Sequence, residues 1–373
     1  QAKAKNMLYD WFVTFRKEGF TEWNSSPYLP IDTLGFGSLY AFAQDPAMRE
    51  LGREGMDFAY YLLAVHSQQG IFASSSGRTY IKEQFGNWSN CPSGLSWIGY
   101  GYGVPGHAGK GITSYCLSDY EPPKEFAQWF SIPRGKEMIC QTTQGNDGYV
   151  DLYTYKTADY MMTSANDFHP GEPGHQENPF QLTFNAVAQL WVTHPGERVL
   201  FGAARPSYWA GNGTLPKVNQ YKAFAGLIYD IAPEHPVDFT HLYLPSMEFD
   251  RCEVEGKWAF VQLGSAYAAV YCSNGMRMQD FGSNKDRECI AEGRRCIWLV
   301  RAAQADEFAA FEDFKAAMRG AALDADAEGR RYRFVDPVYG ELRCQWGETL
   351  YVNDAPMQYS GFDNYGKLTM QEK

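Results

Sequence analysis

The chain has 373 residues and a formal net charge of -11, with 44 Asp and Glu against 33 Lys and Arg. That balance argues against nucleic acid or an anionic membrane as partner, because both select clustered Lys and Arg. No apolar run approaches the roughly 20 residues a membrane span needs, and the length suits two domains or one large one.

Aromatic residues make up 16% of the chain, with 10 Trp and 25 Tyr. Their flat faces with a polar handle are surfaces on which sugars stack, so carbohydrate is a candidate ligand, while most such rings serve the core. The 8 cysteines form no CxxC pair and no Cys/His zinc spacing, so no structural metal is expected. Cys252 and Cys272 come nearest to a hairpin pairing, but a chain of this size needs no staples and buried thiols are expected. The opening at Gln1, without an initiator Met or a signal-peptide pattern, points to sequence upstream. It leaves the compartment open between cytoplasm and periplasm or secretion.

Residues 1 to about 130 carry helical periodicity. Met7, Leu8, Trp11, Phe12 and Phe15 recur at spacings of three and four and predict an amphipathic helix over Lys5–Lys17, closed by Gly19. A second helix is expected over Leu29–Gln44. Pro46 then opens a third at its first turn, where a missing amide costs least. Met56, Ala59, Tyr60, Leu63 and Ala64 form its apolar face, and it runs out near His66 and Ser67. A polar connector from Ser74 to Tyr80 follows, then a Gly/Tyr/Trp segment from Gly94 to Gly106 and a short helix near Ile112–Leu117.

Beyond Pro133 the pattern turns to strands: Glu137–Thr143, Tyr149–Lys156, Gln181–Thr193, Trp258–Leu263 and Tyr267–Ser273. Short strands joined by Gly/Asn/Asp turns predict an antiparallel β-sandwich. One helix interrupts them, Glu307–Met318, with Phe308, Phe311, Phe314 and Met318 on one face, expected against a sheet edge. The expected organisation is multidomain α + β: a helical domain over residues 1–132 and a β-sandwich domain over 133–373, with a cleft where they meet.

Within the β half, residues 166–179 pack His169 and His175 with Asp167, Glu172 and Glu177 among prolines and glycines. Prolines fix the backbone and glycines permit positive φ, so the stretch predicts one shaped loop that presents polar groups, and such loops carry function. Two polar clusters of the helical half, residues 22–28 and 66–80, lie at helix ends and are placed to face the same cleft.

At Asn24, His66, Arg78, Tyr80, His169 and Glu172 the chain resembles the later part of polysaccharide lyases of the α/α-toroid plus antiparallel β-sandwich type. These are the heparinase II/III-like and chondroitin AC or hyaluronate lyases. The resemblance implies cleavage beside a uronic acid by β-elimination, with a glycan as partner and no cofactor. It implies that Asn24 and Arg78 neutralise the uronate carboxylate and that His66 or Tyr80 takes the C5 proton. A Tyr would return a proton to the leaving oxygen, and His169 would reach in from the β side. Trp23, Tyr28, Glu172, His175, Gln176, Trp209 and Asn212 are the remaining substrate-binding candidates, the last two in an aromatic and amide loop suited to a sugar. The spacing from His66 to Tyr80 departs from a family signature, and the visible helices are too few to close a toroid, whose beginning is expected upstream.

The chemistry calls for these residue types. Removing a proton α to a carboxylate needs amide or guanidinium donors on the developing charge and a base on the carbon. A Tyr, near pKa ~10, needs adjacent positive charge such as Arg78, whereas a His near ~6.5 needs little. Each residue also has a plain structural reading: Asn24 as a helix cap, His66 as a satisfied core histidine, Tyr80 as a packed ring, Arg78 as a surface ion pair.

Two other classes stay open. A glycoside hydrolase would use paired carboxylates, for which Glu22, Asp32, Glu172 and Glu177 are available, and a noncatalytic protein would use its Trp and Tyr residues to dock glycans. Metal binding by His169, His175 and Glu177 is disfavoured, because a spacing of six between the histidines fits no standard helical ligand motif. A weakly sulfated or unsulfated uronate glycan suits the acidic chain best.

Overall fold

The structure is a computed structural model and describes residues 2–85, 90–104, 110–145 and 149–373. Three helices build its first part: α1 (Ala2–Glu18), α2 (Leu29–Phe42) and α3 (Pro46–Val65). Asp45 caps α3 by accepting from the Ala47 amide, with Pro46 in the first turn as its sequence position predicts. Asp45 is itself extended, as a residue before proline must be, and α2 stops at Phe42 rather than Gln44 because Ala43 is already extended. α2 and α3 meet so closely at Gly52 that a Cβ there would lie 2.5 Å from the Tyr40 amide nitrogen.

From Met56 onward α3 is buried nearly all round, not only on the predicted stripe. Phe12, Phe15, Phe20 and Phe36 cover one side, and strand residues Met138 and Cys140 join the same core. Shorter helices α4 (Ile81–Gln84), α5 (Ser93–Tyr100) and α6 (Ile112–Cys116) and a 3-10 turn (Lys124–Trp129) follow. The end of the Gly/Tyr/Trp segment, 105–106, lies outside the described residues.

Antiparallel sheets make up the rest. A nine-stranded sheet runs β12 (Arg277–Met278), β13 (Glu288–Glu292), β8 (Phe239–Tyr243), β5 (Gln189–Thr193), β4 (Phe180–Thr183), β3 (Met161–Asn166), β2 (Val150–Lys156), β1 (Lys136–Gln144), β20 (Lys367–Glu372). A six-stranded sheet runs β6 (Lys217–Tyr221), β7 (Phe224–Asp230), β14 (Arg295–Gln304), β11 (Ala266–Cys272), β10 (Trp258–Leu263), β9 (Arg251–Glu255). The two share one core, with Tyr155, Leu182 and Val192 from the first and Leu227, Val270 and Leu299 from the second, a sandwich-like arrangement. A smaller five-stranded sheet occupies residues 323–356. Helices followed by large antiparallel sheets give the α + β class.

Three expectations change. The single strand expected over Gln181–Thr193 is the pair β4 and β5, because the Asn185 side chain accepts from the Val187 and Ala188 amides and turns the chain. The late helix, α7, spans Phe311–Gly320 and starts after Phe308. It lies over β9–β11 rather than at the edge alone: Phe314 packs on Phe260 and Tyr267, and Lys315 and Arg319 pair with Glu253 and Glu255. All 8 cysteines are free, and the neighbour of Cys272 is Cys296, at 3.3 Å between sulfurs, not Cys252. Cys116 is exposed and Cys252 half-buried, so burial holds for six of the eight thiols. Among the described residues no helix is long and apolar enough to cross a membrane.

The helical part and the nine-stranded sheet join along β2, which is buried on both faces. Lys156 is fully buried there; its Nζ donates to the Ala64 carbonyl at 3.0 Å at the end of α3 and to that of Trp129. Burial pulls this lysine down to about 7.

Candidate active site

Three loops come together beside this joint. Ser76 and Asn178 exchange two backbone hydrogen bonds, at 2.9 and 2.7 Å, so the connector after α3 pairs with the Pro/Gly loop between β3 and β4. The Thr79 amide donates to the Gln176 carbonyl at 3.1 Å, and Gln176 Nε2 returns a bond to the Thr79 carbonyl at 2.8 Å. The Gly77 amide donates to the Trp23 carbonyl at 2.8 Å, which ties in the loop between α1 and α2. Beneath them, Gln84 donates to Gln181 and Gln181 to Gln189, a buried amide chain that fixes α4 against β4 and β5.

On this base sits a cluster of two tyrosines and two arginines. The Tyr28 and Tyr80 hydroxyls are 3.3 Å apart, and Arg78 Nη2 donates to the Tyr80 oxygen at 3.5 Å. Arg78 lies over both rings, 5.3 Å from the Tyr28 centroid and 5.9 Å from that of Tyr80, while Arg205 lies 5.7 Å from the Tyr80 centroid. Glu22 holds Arg78 at 3.2 Å. Tyr80 lines a pocket of about 390 Å³ together with Lys82, Gln176, Arg205 and Ser207.

This environment splits the two phenols. The hydrogen bond from Tyr28, then that from Arg78, lowers Tyr80 below the ordinary tyrosine value, and the charge of Arg205 adds to it. Tyr28 moves up, chiefly through the same hydrogen bond. Tyr80 is therefore the more acidic of the pair, and its oxygen is where negative charge is best tolerated.

The other sequence candidates fall into distinct surroundings. Asn24 is in this assembly but buried, at a φ of 46°; its Nδ2 donates to the Ser75 carbonyl at 3.3 Å and its Oδ1 has no partner. It does not cap α2, for which Tyr28 is the N-cap residue. His66 is only 1% exposed, so it does not reach substrate in this structure. Its Nδ1 meets Thr154 Oγ1 at 2.9 Å, its Nε2 is unpartnered, and burial, then the Lys156 charge, lowers it to about 3. Trp23 is buried as well, edge-on to Phe168, and is a core residue rather than a sugar platform.

His169 takes a positive φ, pairs with Glu172 at 3.3 Å and packs on Tyr149 and Phe168; it is not among the residues lining the Tyr80 pocket. His175 is exposed, and its amide donates to the Glu177 carboxylate. Asn212 is corrected from ligand to scaffold, because its amide is fully engaged: Nδ2 donates to the Glu177 carbonyl, and Oδ1 accepts from the His194 amide and the Tyr229 hydroxyl, each at 3.0 Å. Trp209 stacks on His241 at 4.0 Å and lines a different pocket.

Arg205 and Lys82 are the residues missed. Arg205 stands before a proline in a Gly/aromatic loop of the kind that signalled Trp209, and that context could have drawn it in. Among the carboxylates, burial and then Glu22 push Asp32 up to about 7. Arg205 and Lys82 thus line the pocket beside Tyr80, Lys82 paired with the buried Glu83 at 3.3 Å, while Arg78, held by Glu22, lies outside the pocket lining and supports the Tyr80 oxygen. In comparisons with known proteins, the chain matches no family model and no curated protein.

Proposed function

We propose that the protein is a polysaccharide or oligosaccharide lyase that cleaves a uronate-containing glycan by β-elimination, its helical part belonging to an α/α toroid. The observation that carries this reading is the Tyr80 oxygen, made more acidic by Tyr28 and Arg78 and placed on a pocket with Arg205 and Lys82. In this reading the cations hold the uronate carboxylate and stabilise the charge that builds on it as the C5 proton leaves. Tyr80, as phenolate, takes that proton. The C5 electron pair forms the C4–C5 double bond as the C4–O bond breaks, and the proton returns from Tyr80 to the leaving oxygen. Burial of His66 favours Tyr80 as the base of the two candidates. Asn24, as buried as His66, would act by holding the connector through its bond to the Ser75 carbonyl, and His169 would act from the loop rim on substrate that extends past the pocket.

A second reading rests on Asp32, whose carboxyl near 7 beside Glu22 would suit the general acid of a glycoside hydrolase. Incubation with a panel of uronate glycans separates the two. A lyase creates one ultraviolet-absorbing unsaturated uronate per new reducing end, whereas new reducing ends without that absorbance identify a hydrolase.

A further inference from the structure

A second pocket, of about 340 Å³, adjoins the first; Phe85, Phe201, Trp209 and Tyr243 wall it, and Asn284 and Arg287 are at its rim. Ile81 lines both pockets. The segment 200–210 serves both as well: Leu200, Phe201 and Trp209 face the aromatic pocket, while Gly202, Arg205 and Ser207 face that of Tyr80.

Two features of the pocket ask for a ligand. Phe201 is 80% exposed, a large ring left at the surface where apolar contact is to be made. Arg287 is half-buried with its Nε enclosed and unpartnered, and its guanidinium has no ion pair among the described residues, Glu248 on the same rim included. A half-buried guanidinium whose Nε is enclosed without a partner gains from a carboxylate that pairs with it.

The wall behind is rigid. Trp209 Nε1 donates to Asn284 Oδ1 at 3.3 Å, and Asn284 Nδ2 donates to Glu288 Oε2 at 2.8 Å. The other Glu288 oxygen accepts from the Tyr208 hydroxyl and meets His241 Nδ1, both at 2.6 Å, and the His241 ring supports Trp209 from behind. Trp209 and Asn284 are thus held in position before any ligand binds.

We propose that this pocket is a second sugar subsite, which stacks an acidic unit of the glycan on its aromatic wall and pairs that unit's carboxylate with Arg287. It rests on the reading of the Tyr80 pocket as the place of the reacting uronate, since one glycan chain passing Ile81 would occupy both. The test is calorimetric titration of Tyr80→Phe protein with hexasaccharides of unsulfated chondroitin, hyaluronan and alginate, each in native and carboxyl-reduced form. Adding Arg287→Ala weakens the native hexasaccharide roughly tenfold or more, the loss of one charged contact, and leaves the carboxyl-reduced form unchanged. Adding Phe201→Ala, at an exposed position that folding does not need, weakens both forms. Equal weakening of both forms by Arg287→Ala, unchanged affinity in both variants, or no binding of any probe overturns the subsite. The lyase reading fails separately: if the wild-type protein releases no unsaturated product but binding follows Arg287 as described, the subsite stands as a glycan-binding site and the elimination does not.

Discussion

Replacing Tyr80 by Phe removes one hydroxyl and nothing else, so its two consequences are separable. That hydroxyl lies 3.3 Å from the Tyr28 oxygen and 3.5 Å from Arg78 Nη2, both at the long end for hydrogen bonds, on a residue that is partly solvent-exposed. Their net worth to stability is under about 1 kcal/mol, a fall in Tm of no more than about 2 to 4 °C for a chain of this size. If the same hydroxyl is the base, turnover falls about a hundredfold or more. The wild-type profile should also rise with pH through the lowered Tyr80 value, and Arg205→Ala, by removing a charge that lowers it, should move that rise to higher pH. Initial rates of unsaturated-product formation across pH, with thermal melts alongside, measure all three effects. A Tyr80→Phe protein that keeps wild-type turnover on a substrate shown to be eliminated would refute the reasoning.

Other outcomes follow from individual surroundings. Asn24→Gly keeps the positive φ while removing the amide and its buried bond to the Ser75 carbonyl, so Tm should fall; if the amide also serves the site, kcat should fall by the equivalent of about 2 to 4 kcal/mol with KM little changed, and a fall in Tm alone would leave it a structural residue. Asn212→Ala removes three hydrogen bonds and leaves the buried His194 amide and the half-buried Glu177 carbonyl unpaired, while Tyr229 keeps the Val192 carbonyl; it should lower unfolding free energy by about 1 to 3 kcal/mol in denaturant titrations, and an unchanged midpoint would restore that amide as a ligand candidate. His66 and His194 are both held near 3 by burial against an ordinary 6.5. The unfolded chain therefore binds more protons between those values, so stability should be complete above pH 6.5 and decline as pH falls below it, and His66→Asn should flatten the decline between pH 7 and 5.

How much of this was legible depended on the range of the signal. Pro46 and the spacing of Met56, Tyr60 and Leu63 are local, and α3 forms where they place it. The Pro/Gly content of residues 166–179 likewise announced a shaped loop, and that loop pairs with the connector at Ser76. Burial was only half legible, because it depends on what arrives from elsewhere: a core place for His66 stood beside its catalytic one until β2 covered it, and Trp23 read as part of a polar loop until Phe168 met it. Asn185 was overlooked because its apolar and β-prone neighbours suggest one continuous strand, while its side chain turns the backbone. The Glu288 and His241 pair lies on adjacent strands far apart in sequence, so no spacing rule finds it. Arg205 gains its meaning only from Tyr80, which is 125 positions earlier and meets it through the loop pairing.

The most direct test of elimination at the Tyr80 pocket is product mass after digestion of a uronate glycan in heavy-oxygen water. Elimination breaks the C4–O bond without adding water, so the account predicts fragments that sum to the parent mass, apart from the heavy oxygen that any free reducing end exchanges with solvent, and that bear an unsaturated uronate at one end. Fragments that gain one water containing heavy oxygen at each cut would contradict it and move the chemistry to Glu22 and Asp32.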